Sequence, residues 1–197
     1  MRFKILLLWT ILFSAMGMVK AQNYLCFTAT TDNSSVGIRE KGRDIPDLEY
    51  SLDEGRSWTP ITSGTVDLPQ ANDKVYFRGN NPAGIFNTLD NYTNFVITGQ
   101  VAASGSVMSL LDGEGTSTEI PYKMCFYRLF MGCEGLVQAP ELPATTLAEE
   151  CYKDMFQECG ISETPQLPAK ELEEGCYEGM FANCANLSQV TELPALT

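Results

Sequence analysis

Three stretches of this chain have residue types and spacings that could carry chemistry. They are the run Ser51 to Trp58, the acidic loop Asp112-Gly113-Glu114-Gly115-Thr116, and a set of seven cysteines. Each would have to act without histidine, which is absent from all 197 residues. Histidine is the usual general base near neutral pH and the commonest metal ligand, so Ser-His-Asp and Cys-His nucleophilic sites are excluded. Paired carboxylates can cleave glycosides unaided, and this is the hydrolytic chemistry the composition leaves open. The Asp112 loop spaces oxygens two apart, as a calcium loop does. It lacks the glycine at the sixth position and the bidentate glutamate at the twelfth, and reads as an acidic surface loop. Gly113-Glu114-Gly115 has no third glycine and no following basic residue, so it is not a phosphate cradle. No Arg-Gly-Asp tripeptide occurs. Catalytic, cofactor-binding and metal residues are therefore expected to be none, no cofactor is expected, the chain is read as no enzyme, and its ligand-binding residues remain unknown.

Ser51-Leu52-Asp53-Glu54-Gly55-Arg56-Ser57-Trp58 resembles the Asp-box of sialidases and related β-propellers. Such an enzyme also needs several blades, an arginine cluster and a paired tyrosine nucleophile, and one box does not supply them. The motif is physically a hairpin device. Asp53 can bond backbone amides in the turn, Gly55 takes an unusual backbone angle, and Trp58 packs beneath.

Six of the cysteines belong to an internal repeat. CFYRLFMGC starts at Cys125, CYKDMFQEC at Cys151 and CYEGMFANC at Cys176, at offsets of 26 and then 25 residues. The lost residue lies where Cys133-Glu134-Gly135-Leu136 becomes Cys159-Gly160-Ile161. The shared pattern is C-[FY]-x-x-[LM]-F-x-x-C, an aliphatic residue, L-P-A, and a further leucine at Leu147, Leu172 and Leu196. Two readings of Cys125/Cys133, Cys151/Cys159 and Cys176/Cys184 stand: disulfides in an exported protein, or ladders of small buried thiols. A spacing of eight without C-x-x-C or histidine does not suit zinc. Cys26, outside the repeat, is expected in a strand facing a core.

A period in the mid-twenties with aliphatic residues at fixed offsets is what stacked coils require, each covering the next. Cys151, Met155, Phe156 and Cys159 predict a short helical turn with one apolar face. Leu136-Val137-Gln138 and Leu187 to Val190 predict very short strands. Leu-Pro-Ala bends the chain, because proline fixes its own angle and restricts its predecessor. The third copy stops soon after Leu196, with no polar capping segment. These residues, Leu142-Pro143-Ala144 through Cys151-Tyr152 and Met155-Phe156 to Cys159 with their copies, resemble the BspA-like leucine-rich repeat surface proteins of bacteria. The resemblance covers about 70 residues, Cys125 to Thr197. It implies export, surface display and binding of host or matrix proteins, with no catalytic residues.

Residues 22–100 are turn-rich, with β-type runs at Tyr24–Thr28, Val36–Ile38, Leu48–Ser51, Lys74–Phe77 and Asn94–Thr98 at the spacing of a small β-sandwich. Residues 101–124 are expected to bridge to the repeats and cap the first. Residues 1–21 read as a signal peptide: Arg2 and Lys4, an apolar run from Ile5 to Val19, and Val19-Lys20-Ala21 before Gln22. That run is short for a transmembrane helix, which needs about 20 residues, and Leu25 is too large to precede a lipid-modified Cys26. Removing the leader removes three bases and no acid, taking the net charge from −12 to −15. Such a field repels phosphate backbones and argues against nucleic acid. The expected architecture is therefore α+β, a small N-terminal β-sandwich-like domain followed by a short leucine-rich-repeat-type solenoid over 125–197. The expected role is a secreted or cell-surface adhesion protein, not membrane-spanning, that contacts host or bacterial surface proteins. The alternative is a carbohydrate-binding β-module using Trp58, Tyr76 and Tyr92.

Overall fold

A computed structural model describes residues 22–41, 46–61, 64–85 and 87–192. The expected leader, with its cleavage point after Ala21, lies outside the described residues, as do Leu193-Pro194-Ala195 and Leu196 of the third copy. Nine strands form among the described residues: β1 (Leu25–Ala29), β2 (Ser34–Lys41), β3 (Leu48–Ser51), β4 (Thr59–Pro60), β5 (Thr65–Leu68), β6 (Lys74–Gly79), β7 (Tyr92–Thr98), β8 (Val101–Ser104) and β9 (Leu136–Gln138). One turn of helix, α1 (Ser109–Asp112), packs on β6. Gly79 permits this, since a Cβ there would lie 2.3 Å from the Leu110 carbonyl oxygen.

One sheet has the order β4-β3-β6-β1-β8-β9, the other β5-β2-β7. Alternation sets the faces. In β1, Leu25, Phe27 and Ala29 point into the core, while Cys26 lies between Tyr76 and Ser104 on the opposite face. In β5, Val66 and Leu68 are buried and Thr65 and Asp67 exposed. The sheets meet where Phe27 and Phe77 of the first abut Phe95 of the second, at ring-centre separations of 5.1 and 5.2 Å. Phe130 of the first repeat stacks on Phe95 at 5.2 Å and meets Phe27 at 6.2 Å, so one apolar core runs from Leu25 to Met180. Burying each such ring contributes about 1.5–3 kcal/mol.

The three copies lie one on another, and aromatic side chains form two columns. Phe126, Tyr152 and Tyr177 stack at 5.7 and 6.1 Å. Phe130, Phe156 and Phe181 stack at 5.3 and 5.8 Å. Alternate amides cross between copies: Glu150, Tyr152, Asp154, Phe156 and Glu158 donate to the carbonyls of Glu174, Cys176, Glu178, Met180 and Ala182 at 2.8–3.0 Å. The amides between them close tight turns three residues back, as Met155 does to Tyr152.

This overturns the expected α+β architecture with a leucine-rich-repeat-type solenoid. The described chain is nearly all β, in two sheets, with neither a solenoid nor a closed barrel. The helical turn predicted over Cys151–Cys159 cannot form, because a helix needs every amide for the residue four back, and here every second amide belongs to the next copy. Each fourth residue is also left-handed: Glu150, Asp154 and Glu158 have φ of 52, 53 and 59°. The strand predicted at Leu187 to Val190 is reduced to one bridge, Glu163 with Gln189. Among the described residues no helix is long and apolar enough to cross a membrane.

Candidate functional site

The Asp53 loop is a closed hairpin device. Asp53 accepts the backbone amide of Ser57 at 2.8 Å and the hydroxyls of Ser57 and Ser51 at 2.6 and 2.7 Å. The Ser57 hydroxyl, the Ser57 amide and the Ser51 hydroxyl together hold its carboxyl down at about 2. Trp58 donates its indole N–H to the Gly55 carbonyl at 3.0 Å, with Tyr24 at its edge and the Arg78 guanidinium 4.2 Å above its ring. Nothing in this loop is poised to transfer a proton. The three aromatic residues considered for glycan binding, Trp58, Tyr76 and Tyr92, are each partly or wholly covered. Arg78 covers Trp58, Tyr76 is half-buried, and Tyr92 is 6% exposed against Tyr127.

The Asp112 loop likewise uses its oxygens internally. Oδ1 accepts the amides of Glu114 and Gly115, and Oδ2 those of Thr116 and Ser117, at 2.6–2.8 Å. Burial pushes this carboxyl up, but the four amides outweigh it and hold it below its ordinary value. Among the described residues no cluster of three or more Cys, Asp or Glu could hold a metal ion.

The repeat cysteines are free thiols arranged as ladders. Cys133, Cys159 and Cys184 donate their S–H to the carbonyls of Phe95, Phe130 and Phe156 at 3.2, 2.8 and 2.9 Å. Burial pushes Cys125, Cys133 and Cys151 up to about 12 and Cys159 further still. A thiolate is the nucleophilic form, so thiols held this firmly protonated are structural donors.

Sequence reading missed the residues that join the sheets to the repeats. The first copy turns a row of carbonyls toward β7 and the loop before it. Asn87 donates to Cys125, Asn94 to Arg128 and Met131, and the Phe95 amide to Leu129. Buried asparagines beside a repeat are the trace this leaves in sequence, legible only once the carbonyl row is known.

A groove of about 380 Å³ lies beside β9, one of several concavities among the described residues. Pro140, Pro143, Pro165 and Pro168 wall it with Ala139 and Leu142, and Ser104, Gln138, Glu141 and Gln166 supply polar edges. Gln138 is tied to the Ala103 carbonyl and Glu141 to Asn23, whereas Gln166 is exposed. The copies differ at Val137-Gln138-Ala139, Ser162-Glu163-Thr164 and Ser188-Gln189-Val190, of which Gln138 and Ala139 line the groove. Pro140 with Pro165 and Glu141 with Gln166, replaced by Thr191 and Glu192 in the third copy, line it too. Ser162, Glu163, Ser188, Gln189 and Val190 are exposed beyond its walls, while Thr164 is buried and bonds Gln189 and Thr191. The groove offers rigid walls and hydrogen-bonding groups but no titratable pair. No family model, curated protein or solved structure matches the chain.

Proposed function

We propose that this chain is an exported or surface-displayed, non-enzymatic binding protein that holds a segment of another protein in the proline-walled groove beside β9. The observation that carries the reading is that the groove combines preformed apolar walls with polar edges on the face where the copies differ. Four proline rings lose little freedom on binding, which lowers the ordering cost of association. The acidic balance, −12 over the whole chain, suits a partner with basic residues beside an apolar stretch. The resemblance to BspA-like surface proteins supports display outside the cell and host or neighbouring-cell proteins as partners. A groove of this size implies weak single-site affinity, strengthened by many copies on a surface.

The test is binding of the full chain to a panel of extracellular-matrix proteins alongside a glycan array. Gln166→Trp, which places a large ring over the groove, is expected to weaken protein binding at least tenfold while Leu52→Ser, on the exposed Asp53 loop, leaves it unchanged. Binding to glycans alone, or protein binding indifferent to Gln166→Trp, overturns the reading.

A further inference from the structure

The stacking of the copies has a direction. Five alternate amides of the first copy, at Met124, Phe126, Arg128, Phe130 and Gly132, donate to the second, and five of the second donate to the third. The facing carbonyls always belong to the later copy. Each copy therefore has an acceptor edge, turned toward β7, and a donor edge turned away. At the first copy the acceptor edge is met by Asn87, Asn94 and the Phe95 amide. At the third copy the donor edge comprises the amides of Gly175, Tyr177, Gly179, Phe181 and Asn183. These have the same left-handed residues at every fourth position, Gly175, Gly179 and Asn183, and no carbonyl partner among the described residues. The apolar columns are open there too. Tyr177, Phe181 and Cys184 are half-buried, whereas Tyr152, Phe156 and Cys159 in the same columns are 1, 0 and 3% exposed.

We propose that the outer edge of the third copy is a docking surface for a polypeptide segment carrying this same repeat, which lays its carbonyl row on the five amides and its aromatic residues on Tyr177 and Phe181. Two features select that occupant. The edge is donor-only, so it requires a backbone offering carbonyls alone. An ordinary extended strand presents both donors and acceptors along one side and would match half of it at most. Continuity of the two aromatic columns then asks for rings at C+1 and C+5 of the incoming segment, which the repeat pattern supplies. A second copy of this chain does not fit. Its own open edge offers only donors, and its acceptor edge is occupied by Asn87, Asn94 and Phe95. The edge thus favours one orientation of a repeat-bearing partner and opposes self-association, which is how a polar edge gives specificity.

Hydrogen exchange on the full chain tests this at single amides. Residues 174–192 are appended directly after Thr197, which sets the added cysteine four residues beyond Leu196, as Cys151 follows Leu147 and Cys176 follows Leu172. Tethering makes the association intramolecular, so weak affinity cannot hide it. Exchange at Gly175, Tyr177, Gly179, Phe181 and Asn183 is expected to slow at least tenfold. The turn amides of Glu178, Met180 and Ala182, already bonded within the copy, should change little. A shuffled extension of the same composition should leave all eight unchanged. The proposal is overturned if the in-register extension slows none of the five, slows all amides alike, or does no more than the shuffled one. It is also overturned if the unextended chain self-associates at high concentration with protection of the same five amides, for then the occupant is a second copy.

Discussion

The side-chain amide of Asn94 donates to the Met131 carbonyl at 3.0 Å, and through the same nitrogen to Arg128 at 3.0 Å. Asn94 is 1% exposed, and Arg39 fixes its orientation by donating to Oδ1 at 3.0 Å. This residue closes the carbonyl edge of the first copy against β7. Asn94→Leu keeps the volume and removes the donor, leaving the part-buried Met131 carbonyl without its partner at about 1–3 kcal/mol, while the Arg128 carbonyl keeps the Met131 amide at 3.1 Å. A loss of about 1–3 kcal/mol in urea denaturation is expected. Because Phe95 and Phe130 share one core, the variant should still unfold in a single transition. A change under about 0.5 kcal/mol, or two separate transitions, would refute this account of the joint.

Glu158 tests the left-handed columns. It is exposed with φ of 59°, and its counterparts are Gly132 and Asn183, with φ of 74 and 59°. An L-residue in this region costs about 1–2 kcal/mol, most for a β-branched side chain. Glu158→Gly relieves that strain but makes the unfolded chain freer, so its stability should stay within about 1 kcal/mol of the parent. Glu158→Val should lose about 1–3 kcal/mol despite replacing an exposed side chain. Equal thermal midpoints for the two variants would count against the strain.

How far the sequence could be read depended on the range of the forces involved. The β-type runs at Leu48–Ser51 and Lys74–Phe77 coincide with β3 and the heart of β6, because alternation is local and the core takes one face. β5 and β8, no shorter than β3, lie outside the expected runs and are defined by their partners β2, β1 and β9. The repeat period was plain, yet Met155-Phe156 was misread as helical because apolar residues at steps of three and four fit a run of tight turns equally well. The distinguishing marks were present in the columns: Glu150 over Gly175, Asp154 over Gly179, and Gly132, Glu158 and Asn183. A glycine or asparagine appearing in each of three columns four residues apart marks left-handed backbone, which no helix interior contains. The groove residues Pro165, Gln166 and Pro168 stayed hidden, since their joining to Pro140 and Pro143 depends on how copies one and two stack.

Tyr152 carries a buried hydroxyl with no partner in its column between Phe126 and Tyr177. The first copy places phenylalanine at the equivalent position, so the ring alone meets the packing need. Removing the hydroxyl removes the cost of burying an unsatisfied polar group, about 1–3 kcal/mol, and leaves a void smaller than a methyl group. Tyr152→Phe is expected to stabilise the protein by about 1 kcal/mol, and Tyr152→Ala to cost about 3–5 kcal/mol. A destabilised Tyr152→Phe would mean that the hydroxyl bonds a water within the stack.

The thiol ladder sets an alkaline limit on stability. Burial holds Cys125, Cys133 and Cys151 at about 12 in the folded protein, against 9.0 for a free thiol. The folded state therefore binds these protons more tightly than the unfolded one. Their contribution is fully present below pH 9 and is lost as pH rises from 9 toward 12, where unfolded thiols ionise and folded ones do not. The thermal midpoint should hold steady from pH 7 to 8.5 and then fall as pH climbs through this window. Buried tyrosines shift in the same direction, so the slope must be assigned by substitution. Cys133→Ala with Cys159→Ala should lower the midpoint at pH 7, through loss of the Sγ bonds to Phe95 and Phe130, and flatten its fall above pH 9. Thiol labelling at pH 8 gives the second reading: slow in the native protein and complete at seven sites on unfolding. Rapid native labelling of Cys133 or Cys159, or an unchanged alkaline slope in the double variant, would show that these sulfurs are not the buried donors the ladder requires.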